Sequence, residues 1–385
     1  MGLFSEYLDM NLDFQQLQAE RQKQLRRIID KRKRDVLVYA SNLIGPVQLV
    51  GINYPDLVRI KDQLSNLRGD KLDLILETPG GAGEVAEDMV KLLRQKYAEV
   101  AIIVPGTAKS AGTIIAMSGD EILMNPSSSL GPIDAQISWQ GKHFSAEALL
   151  AGIEAIKAEV EKSKGNLNRA YVPILLNISP GEIEHARNAM KFAQTLVCQW
   201  LVKYKFKNWS RHSSTGQPVT DQDKESRADE IATLLGNHGH WLTHGRSIKM
   251  EDLRSMGVKI EDYSQDPLLA DAIDRYYTLM HITFQTNIYK IFETAESRIF
   301  DFLQPPAPMP AGDKRADFVL IDFECPKCHS KYRVQANFVA KKALEAGCIP
   351  FPKDRKFQCP ACSHTVKVSA IQRKVEAQTG RRIIL

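Results

Sequence analysis

The chain reads as an α/β protein on parallel strands, followed by a small metal-held domain near its C-terminal end. Three observations carry that expectation. Short apolar runs alternate with helix-period stretches between residues 35 and 124, and such alternation implies parallel strands joined by crossover helices. Pro and Gly pairs punctuate the ends of those runs. Far downstream, Cys325-Pro326-Lys327-Cys328 and Cys359-Pro360-Ala361-Cys362 repeat one Cys-x-x-Cys pattern, with 31 positions from Cys328 to Cys359.

Residues 1–34 read as a helical arm, with apolar points at Leu12, Phe14, Leu17, Leu25, Ile28 and Ile29 among many charges. Eight Lys and Arg side chains between 21 and 34 suit a nucleic-acid arm or, more simply, a solvated helix against a neighbouring subunit. Residues 35–40 form the first core strand, 42–50 a turn and second strand, and 56–67 the first crossover helix. The run 72–77 is a buried strand closed by Thr78-Pro79-Gly80-Gly81, where Pro and paired glycines make a tight turn. Val85, Met89, Val90, Leu92 and Leu93 lie on one face of a helix over 85–96. A buried strand over 100–104 runs into Pro105-Gly106-Thr107-Ala108-Lys109-Ser110-Ala111-Gly112, a helix over 113–118 and a short strand over 121–124.

Gly106-x-Ala108-x-Ser110-x-Gly112 after a strand, with Pro79-Gly80-Gly81 upstream, resembles the nucleophile region of the Clp/crotonase superfamily. It is most similar to the serine peptidases of the Clp protease subunit and signal peptide peptidase A, and above all to the cytosolic serine dehydrogenase proteinase family. The 29 positions from Gly81 to Ser110 fit the Clp pattern without gaps, and Ser129-Leu130-Gly131-Pro132-Ile133-Asp134 resembles the Gly-rich strand after the nucleophile helix of signal peptide peptidases. The resemblance covers roughly residues 36–262. It implies a Clp/crotonase-like fold, Ser110 as nucleophile, and the backbone N–H groups of Gly81 and Ala111 as oxyanion donors. A serine hydroxyl attacks an acyl carbon only beside a base, and the tetrahedral intermediate needs preorganised donors.

The base is where the chain departs from the pattern. Clp subunits place a His in the strand after the nucleophile helix, where this chain has Ile133 and Asp134. Signal peptide peptidases use a Lys some tens of residues downstream instead, and burial can lower a Lys pKa enough for that role. Among Lys142, Lys157, Lys162 and Lys164, the family spacing favours Lys164, then Lys162. The alternative is His238, in a stretch with three His in seven residues, His238, His240 and His244. Histidine works near neutral pH, and this stretch precedes the family's last helix, close to where Clp subunits carry their acidic triad member.

Residues 144–161 read as an amphipathic helix. Ser179-Pro180-Gly181-Glu182 is a helix start, with Ser at N-cap, Pro at N1 and Glu at N3. A polar loop over 208–225, a short helix over 227–235 and a closing helix and strand over 241–258 follow, so the peptidase-like domain spans 35–262. Residues 263–303 read as one long apolar helix, 304–315 as a Pro-rich linker, 316–370 as a zinc ribbon and 371–385 as a basic tail. Cys325, Cys328, Cys359 and Cys362 suit one tetrahedral structural zinc.

Composition bounds the rest. Of 385 residues 43% are hydrophobic and 25% charged, and the net charge of +5 is mild, which is ordinary for a globular protein. No apolar run approaches the roughly 20 residues that span a bilayer. The first six residues lack a signal or myristoylation pattern, and paired cysteines suit metal binding in a reducing compartment, so the expectation is a cytoplasmic protein without a membrane partner. The resemblance further implies a peptide or unfolded-protein substrate and a homo-oligomer. Lys341, Lys342, Lys353, Arg355, Lys356, Arg373, Lys374, Arg381 and Arg382 make nucleic acid a further partner for the ribbon and tail. Two rival functions fit the same fold: a crotonase-like acyl-CoA enzyme, which needs no nucleophilic Ser, and a non-catalytic adaptor working through the ribbon.

Overall fold

The computed structural model describes residues 2–139, 141–212, 215–303 and 317–385. The expected linker over 304–315 lies outside these. The chain divides into two units, one of Ile29–Ala270 with Phe292–Ile299, the other of Met1–Ile28, Asp271–Ile291 and Phe300–Leu385.

The first unit is organised by five parallel strands in chain order: β1 (Asp35–Ser41), β2 (Lys71–Glu77), β3 (Glu99–Val104), β4 (Glu121–Met124) and β5 (Glu261–Asp262). Leu37 lies opposite Leu74, Leu74 opposite Ile102, and Ile102 opposite Ile122. Apart from their first residues β1, β2 and β3 are buried throughout, as expected of parallel strands covered on both faces, which read as continuous apolar runs. The crossovers are α1 (Tyr54–Ser65) between β1 and β2, α2 (Gly83–Lys96) between β2 and β3, and α3 (Ala111–Met117) between β3 and β4. Val85, Met89, Val90 and Leu93 form the buried face of α2. Fully burying each such side chain contributes about 1.5–3 kcal/mol.

Between β4 and β5 lie α4 (Ala146–Lys162), α5 (Pro180–Trp200), α6 (Asp221–Gly236), α7 (His238–Trp241) and α8 (Met250–Ser255). The α5 start is the capping box its sequence announces: Ser179 Oγ accepts the Glu182 N–H at 3.3 Å, and the Glu182 carboxylate accepts the Ser179 N–H at 2.6 Å. Helix α6 begins at Asp221, inside the stretch expected to be loop, because Thr220 and Asp223 make a second capping box.

Three expectations need correction. Residues 42–50 hold a turn and the short helix Val47–Val50, not a second strand; Gly45 and Pro46 break the run that would have extended. The stretch 263–303 is not one helix. It is the helix Pro267–Thr283 followed by strands Ile288–Glu293 and Arg298–Phe302. The helix ends where Thr283 and Thr286 turn their hydroxyls onto nearby backbone carbonyls, and the β-branched and aromatic run beyond suits a strand. The tail over 371–385 is folded: α9 (Ser369–Thr379) occupies much of it, with Gln372, Arg373 and Glu376 buried.

The second unit contains the cysteines. Strands β6 (Phe318–Glu324), β7 (Lys331–Asn337) and β8 (Cys348–Pro350) form one small sheet, and β9 (Lys356–Gln358) and β10 (Thr365–Lys367) a hairpin. Residues near the start of the chain are gripped by residues near its end. The Glu376 carboxylate accepts the Phe14 N–H at 2.9 Å, Arg382 pairs with the buried Asp13 at 2.9 Å, Arg373 donates to the Leu12 carbonyl at 3.3 Å, and Arg355 donates to the Asn11 carbonyl. The basic run of the arm is likewise engaged within the chain: Arg21 is buried and donates to Thr283 Oγ1 at 2.6 Å, Arg27 pairs with Asp271 at 2.7 Å, and Arg32 with Asp73 at 2.8 Å. Among the described residues no helix is long and apolar enough to cross a membrane.

Candidate active site

Ser110 sits between a two-residue strand, Thr107–Ala108, and α3. That strand pairs with Ser129–Leu130 and is stitched to the end of β2. The Thr78 N–H donates to the Thr107 carbonyl at 2.9 Å, the Lys109 N–H to the Thr78 carbonyl at 3.0 Å, and the Thr107 N–H to the buried Glu77 carboxylate at 2.7 Å. The turn that follows holds Ser110 at φ 51°, ψ −115°, a conformation that costs a residue with a Cβ on the order of 1–3 kcal/mol and persists only where the surroundings impose it. Its side chain is partly exposed.

The two glycines are explained by space. Gly80 has φ +105°, and a Cβ there would lie 2.8 Å from Ser110 Cβ; Gly81 has φ +147°, and a Cβ there would lie 2.2 Å from the Ile52 nitrogen. The chain therefore brings this backbone directly against Ser110. Ile52 donates to the Gly80 carbonyl at 2.8 Å and accepts from Ala82 at 3.0 Å, a bridge that does not use the Gly81 N–H. Ala111 is the first residue of α3, so its N–H has no partner inside the helix. The donors expected at Gly81 and Ala111 thus flank the Ser110 turn from two segments.

A buried carboxylate bonded to two imidazoles lies beyond Leu130. Thr113 Oγ1 donates to the Gly131 carbonyl at 2.8 Å, and a Cβ on Gly131 would be 3.4 Å from Lys109 Cα, which fixes this stretch against the Ser110 turn. Three residues later comes Asp134, at most about 10 Å of chain from Gly131. Its carboxylate is fully buried and bonded to two imidazoles, His238 Nδ1 at 2.9 Å and His244 Nδ1 at 2.6 Å, and to Gln136 Nε2 at 2.8 Å. Burial works to raise the Asp134 pKa, but the bonds and charge of His244 and then His238 outweigh it and hold the carboxyl below the usual range. The Glu147 carboxylate accepts the His238 N–H, which fixes the start of α7. Lys109, beside Ser110, donates to the carbonyls of Leu130 at 2.9 Å and Arg246 at 3.0 Å and to Ser247 Oγ at 3.0 Å. Burial, with the nearby charge of Lys249, lowers its pKa to about 8.

Of the expected bases, His238 is therefore held by a buried carboxylate. Lys162 is the last residue of α4 and Lys164 follows at φ 54°, both with exposed side chains. No hydrogen bond joins either to the Ser110 turn among the described residues. Sequence reasoning passed over Asp134 as an orienting group, although it stands where the Clp pattern has His, and it did not single out His244.

The four cysteines converge. Their sulfurs lie within 4.8 Å of one another, with Cys325 to Cys362 at 3.7 Å and Cys328 to Cys359 at 3.6 Å. Four thiolates on one zinc at about 2.3 Å would have edges of about 3.8 Å, so the arrangement fits a tetrahedral metal centre. The knuckles are alike: the His329 N–H donates to the Cys325 carbonyl at 2.9 Å and the Ser363 N–H to the Cys359 carbonyl at 2.8 Å, with His329 at φ 57° and Ser363 at φ 55°. Tyr332 OH lies 3.2 Å from Cys359 Sγ, and Cys328 Sγ 3.3 Å from Ser330 Oγ. His329 pairs with Glu324 at 3.0 Å.

Residues 3–172 match the family of ClpP-like SDH-type serine proteinases. Two uncharacterized proteins of Methanocaldococcus jannaschii are each 27% identical, one over 70% of this chain and 81% of its own length, the other over 55% and 61%. Among solved structures, two mutants of the 1510-N membrane-bound stomatin-specific protease are similar over 30% of this chain. They are 25% and 29% identical, the second in complex with a substrate peptide; the match covers 61% and 57% of those chains, with a TM-score of 0.23 for both. An enoyl-CoA hydratase/isomerase family protein from Silicibacter pomeroyi is 13% identical over 55% of this chain and 96% of its own, with a TM-score of 0.21. The matched stretch, residues 3–172, covers less than half of the chain and contains Ser110, Gly81, Ala111 and Asp134; over that stretch the chain is similar to the ClpP-like SDH-type serine proteinases.

Proposed function

We propose that the protein hydrolyses peptide bonds through an acyl-enzyme on Ser110. The observation that carries this is the strained Ser110 turn pressed against Gly80 and Gly81. The Ser110 Oγ attacks the substrate carbonyl, whose oxygen takes the N–H groups of Gly81 and Ala111 as the negative charge develops; one such donor is typically worth 10²–10³ in rate, about 2.7–4 kcal/mol. The proton passes to an imidazole oriented by Asp134, with His238, the alternative to Lys164 and Lys162 in the sequence, as that base. Relative to Clp subunits, acid and base then exchange places: the acid follows the nucleophile helix and the base precedes the last one.

The substrate class in this reading is an unfolded segment or peptide, since the glycines let an extended backbone approach Ser110. The cysteines would hold a structural zinc, which supplies the folding energy that so small a core lacks. A homo-oligomer and a reducing, cytoplasmic setting complete the proposal; thiolate ligands suit the latter. A fluorophosphonate probe tests it. Wild type is expected to be modified at Ser110 and to cleave casein, and Ser110→Ala to do neither. An acyl-CoA enzyme of this fold would ignore the probe, and an adaptor would leave casein intact.

A further inference from the structure

The second cysteine knuckle is the turn of a hairpin whose two arms hold residues near the start of the chain. Strands β9 and β10 pair over three residues each, Lys356 with Lys367, Phe357 with Val366 and Gln358 with Thr365. At one end the knuckle closes the ladder, with the Cys359 N–H donating to the His364 carbonyl at 2.8 Å. At the other end the Val368 N–H donates to the Arg355 carbonyl at 2.9 Å, and Arg355 has φ 58°. Helix α9 follows directly. A two-stranded hairpin is marginal by itself in water. Arg355 and the start of α9 are therefore held by what fixes the hairpin: Phe357 against Phe323, with ring centroids 4.4 Å apart, and the four converging sulfurs.

Residues 9–14 meet these arms mostly through their backbone. Arg355 donates to the Asn11 carbonyl, Arg373 to the Leu12 carbonyl at 3.3 Å, and the Glu376 carboxylate accepts the Phe14 N–H at 2.9 Å. Lys367 pairs with Asp9 at 3.3 Å. Asp13 is fully buried; one carboxylate oxygen accepts the Gln16 N–H at 2.9 Å, and the other pairs with Arg382 at 2.9 Å and Arg355 at 3.7 Å. Glu376 is equally committed, since its second oxygen accepts from the Ile383 N–H at 3.0 Å and from Gln372 Nε2 at 2.9 Å. A buried carboxylate stripped of its partner is costly, so segment and arms each depend on the other. All of these residues belong to one unit of the chain.

We propose that the docking partner of the ribbon is the chain's own segment 9–14, and that zinc binding at the four cysteines and docking of that segment strengthen each other. The hairpin is the link: Cys359 and Cys362 set its turn, while Arg355, Lys367 and the start of α9 form its far end. Such coupling is reciprocal, so whatever factor the bound metal adds to docking, the docked segment adds to metal retention. Arg355, Arg373 and Arg382, expected from the sequence to meet phosphates, are thereby assigned to a peptide.

The test uses the whole zinc-loaded chain. Zinc release into excess pyridylazoresorcinol is followed in wild type, in Asp13→Asn, which keeps an oxygen for Gln16 but loses the charge, and in Arg382→Ala, at a side chain 56% exposed. Each variant is expected to release zinc about tenfold faster, within the usual range of coupling between two sites, and the double variant no faster than the quicker single. In the other direction, hydrogen exchange in wild type should show the Phe14 amide losing about tenfold in protection when the metal is removed, while β2 keeps its protection. Zinc release at the wild-type rate in both variants would overturn the linkage. So would a Phe14 amide equally protected with and without metal, or full additivity of the two substitutions. Should Asp13→Asn fail to fold, Arg382→Ala and exchange at Phe14 decide the outcome. Ser110 takes part in neither readout, so a failure of the peptidase reading would leave both unchanged.

Discussion

The Ser110 turn and the two cysteine knuckles use the same device for different ends. Each places a residue with a Cβ at positive φ: Ser110 at 51°, His329 at 57°, Ser363 at 55°. At Ser110 the conformation is imposed by a parallel sheet and by Ala111 to Met117, all buried behind it. At the knuckles the surrounding core is small, built on Phe323, Val334, Phe351 and Phe357, and the four sulfurs lie where one metal ion could hold them. Under the proposed reading one region leans on an apolar core and the other on a metal, and the two should fail under different insults.

The largest expected effect is chemical. Ser110→Ala should lower casein or peptide hydrolysis by about 10³ or more while leaving the fold intact, since a nucleophile acting as part of a unit carries most of the rate; circular dichroism alongside the assay checks both halves. Gly81→Ala comes next. Its Cβ would strike Ile52 backbone and move an oxyanion donor, so kcat should fall by about 10²–10³ with little change in metal content. On the other side of the comparison, Cys359→Ser should abolish binding of about one zinc per chain, measured by elemental analysis, and expose the core around Phe357 to proteolysis, with probe labelling of Ser110 retained. Asp134 gives a pH signature. Its folded pKa lies below the unfolded one, so its contribution to stability is present above the ordinary carboxylate pKa and is lost as pH falls through the folded value. Asp134→Asn should therefore flatten the acid limb of a plot of Tm against pH. The smallest effect is a gain: Ser110→Gly relieves positive φ and should raise stability by about 1 kcal/mol in denaturant melts, while removing activity.

What was legible in the sequence follows how local each signal is. The boundaries of β4 and the Ser179 cap are written in adjacent residues. So are the knuckles, where Cys-Pro-x-Cys dictates its own turn. The Ser110 turn and the Gly80-Gly81 pair could be matched because 29 positions of unbroken spacing separate Gly81 from Ser110. The contact of Asp134 with His238 could not be read that way, because the two are 104 positions apart and meet only through the packing of α4, α6 and α7. The run after Thr283 was misread for a different reason: its apolar residues are dense enough to satisfy both a helical and an alternating period, and the turn at Gln285–Asn287 decides between them. The cationic tail was legible as charge but not as structure, since Arg373 and Arg382 are spent on the Leu12 carbonyl and on Asp13.

That grip on residues 11–14 has a consequence for how the molecule is made. The unit that holds Ser110 is almost one continuous stretch, Ile29–Ala270, and can assemble while the chain is still emerging. The other unit is stitched from three pieces, and the bond from Phe14 to Glu376 closes 362 positions. It cannot finish before Glu376 has been made, so the unit that holds Ser110 can fold before the unit in which Phe14 meets Glu376.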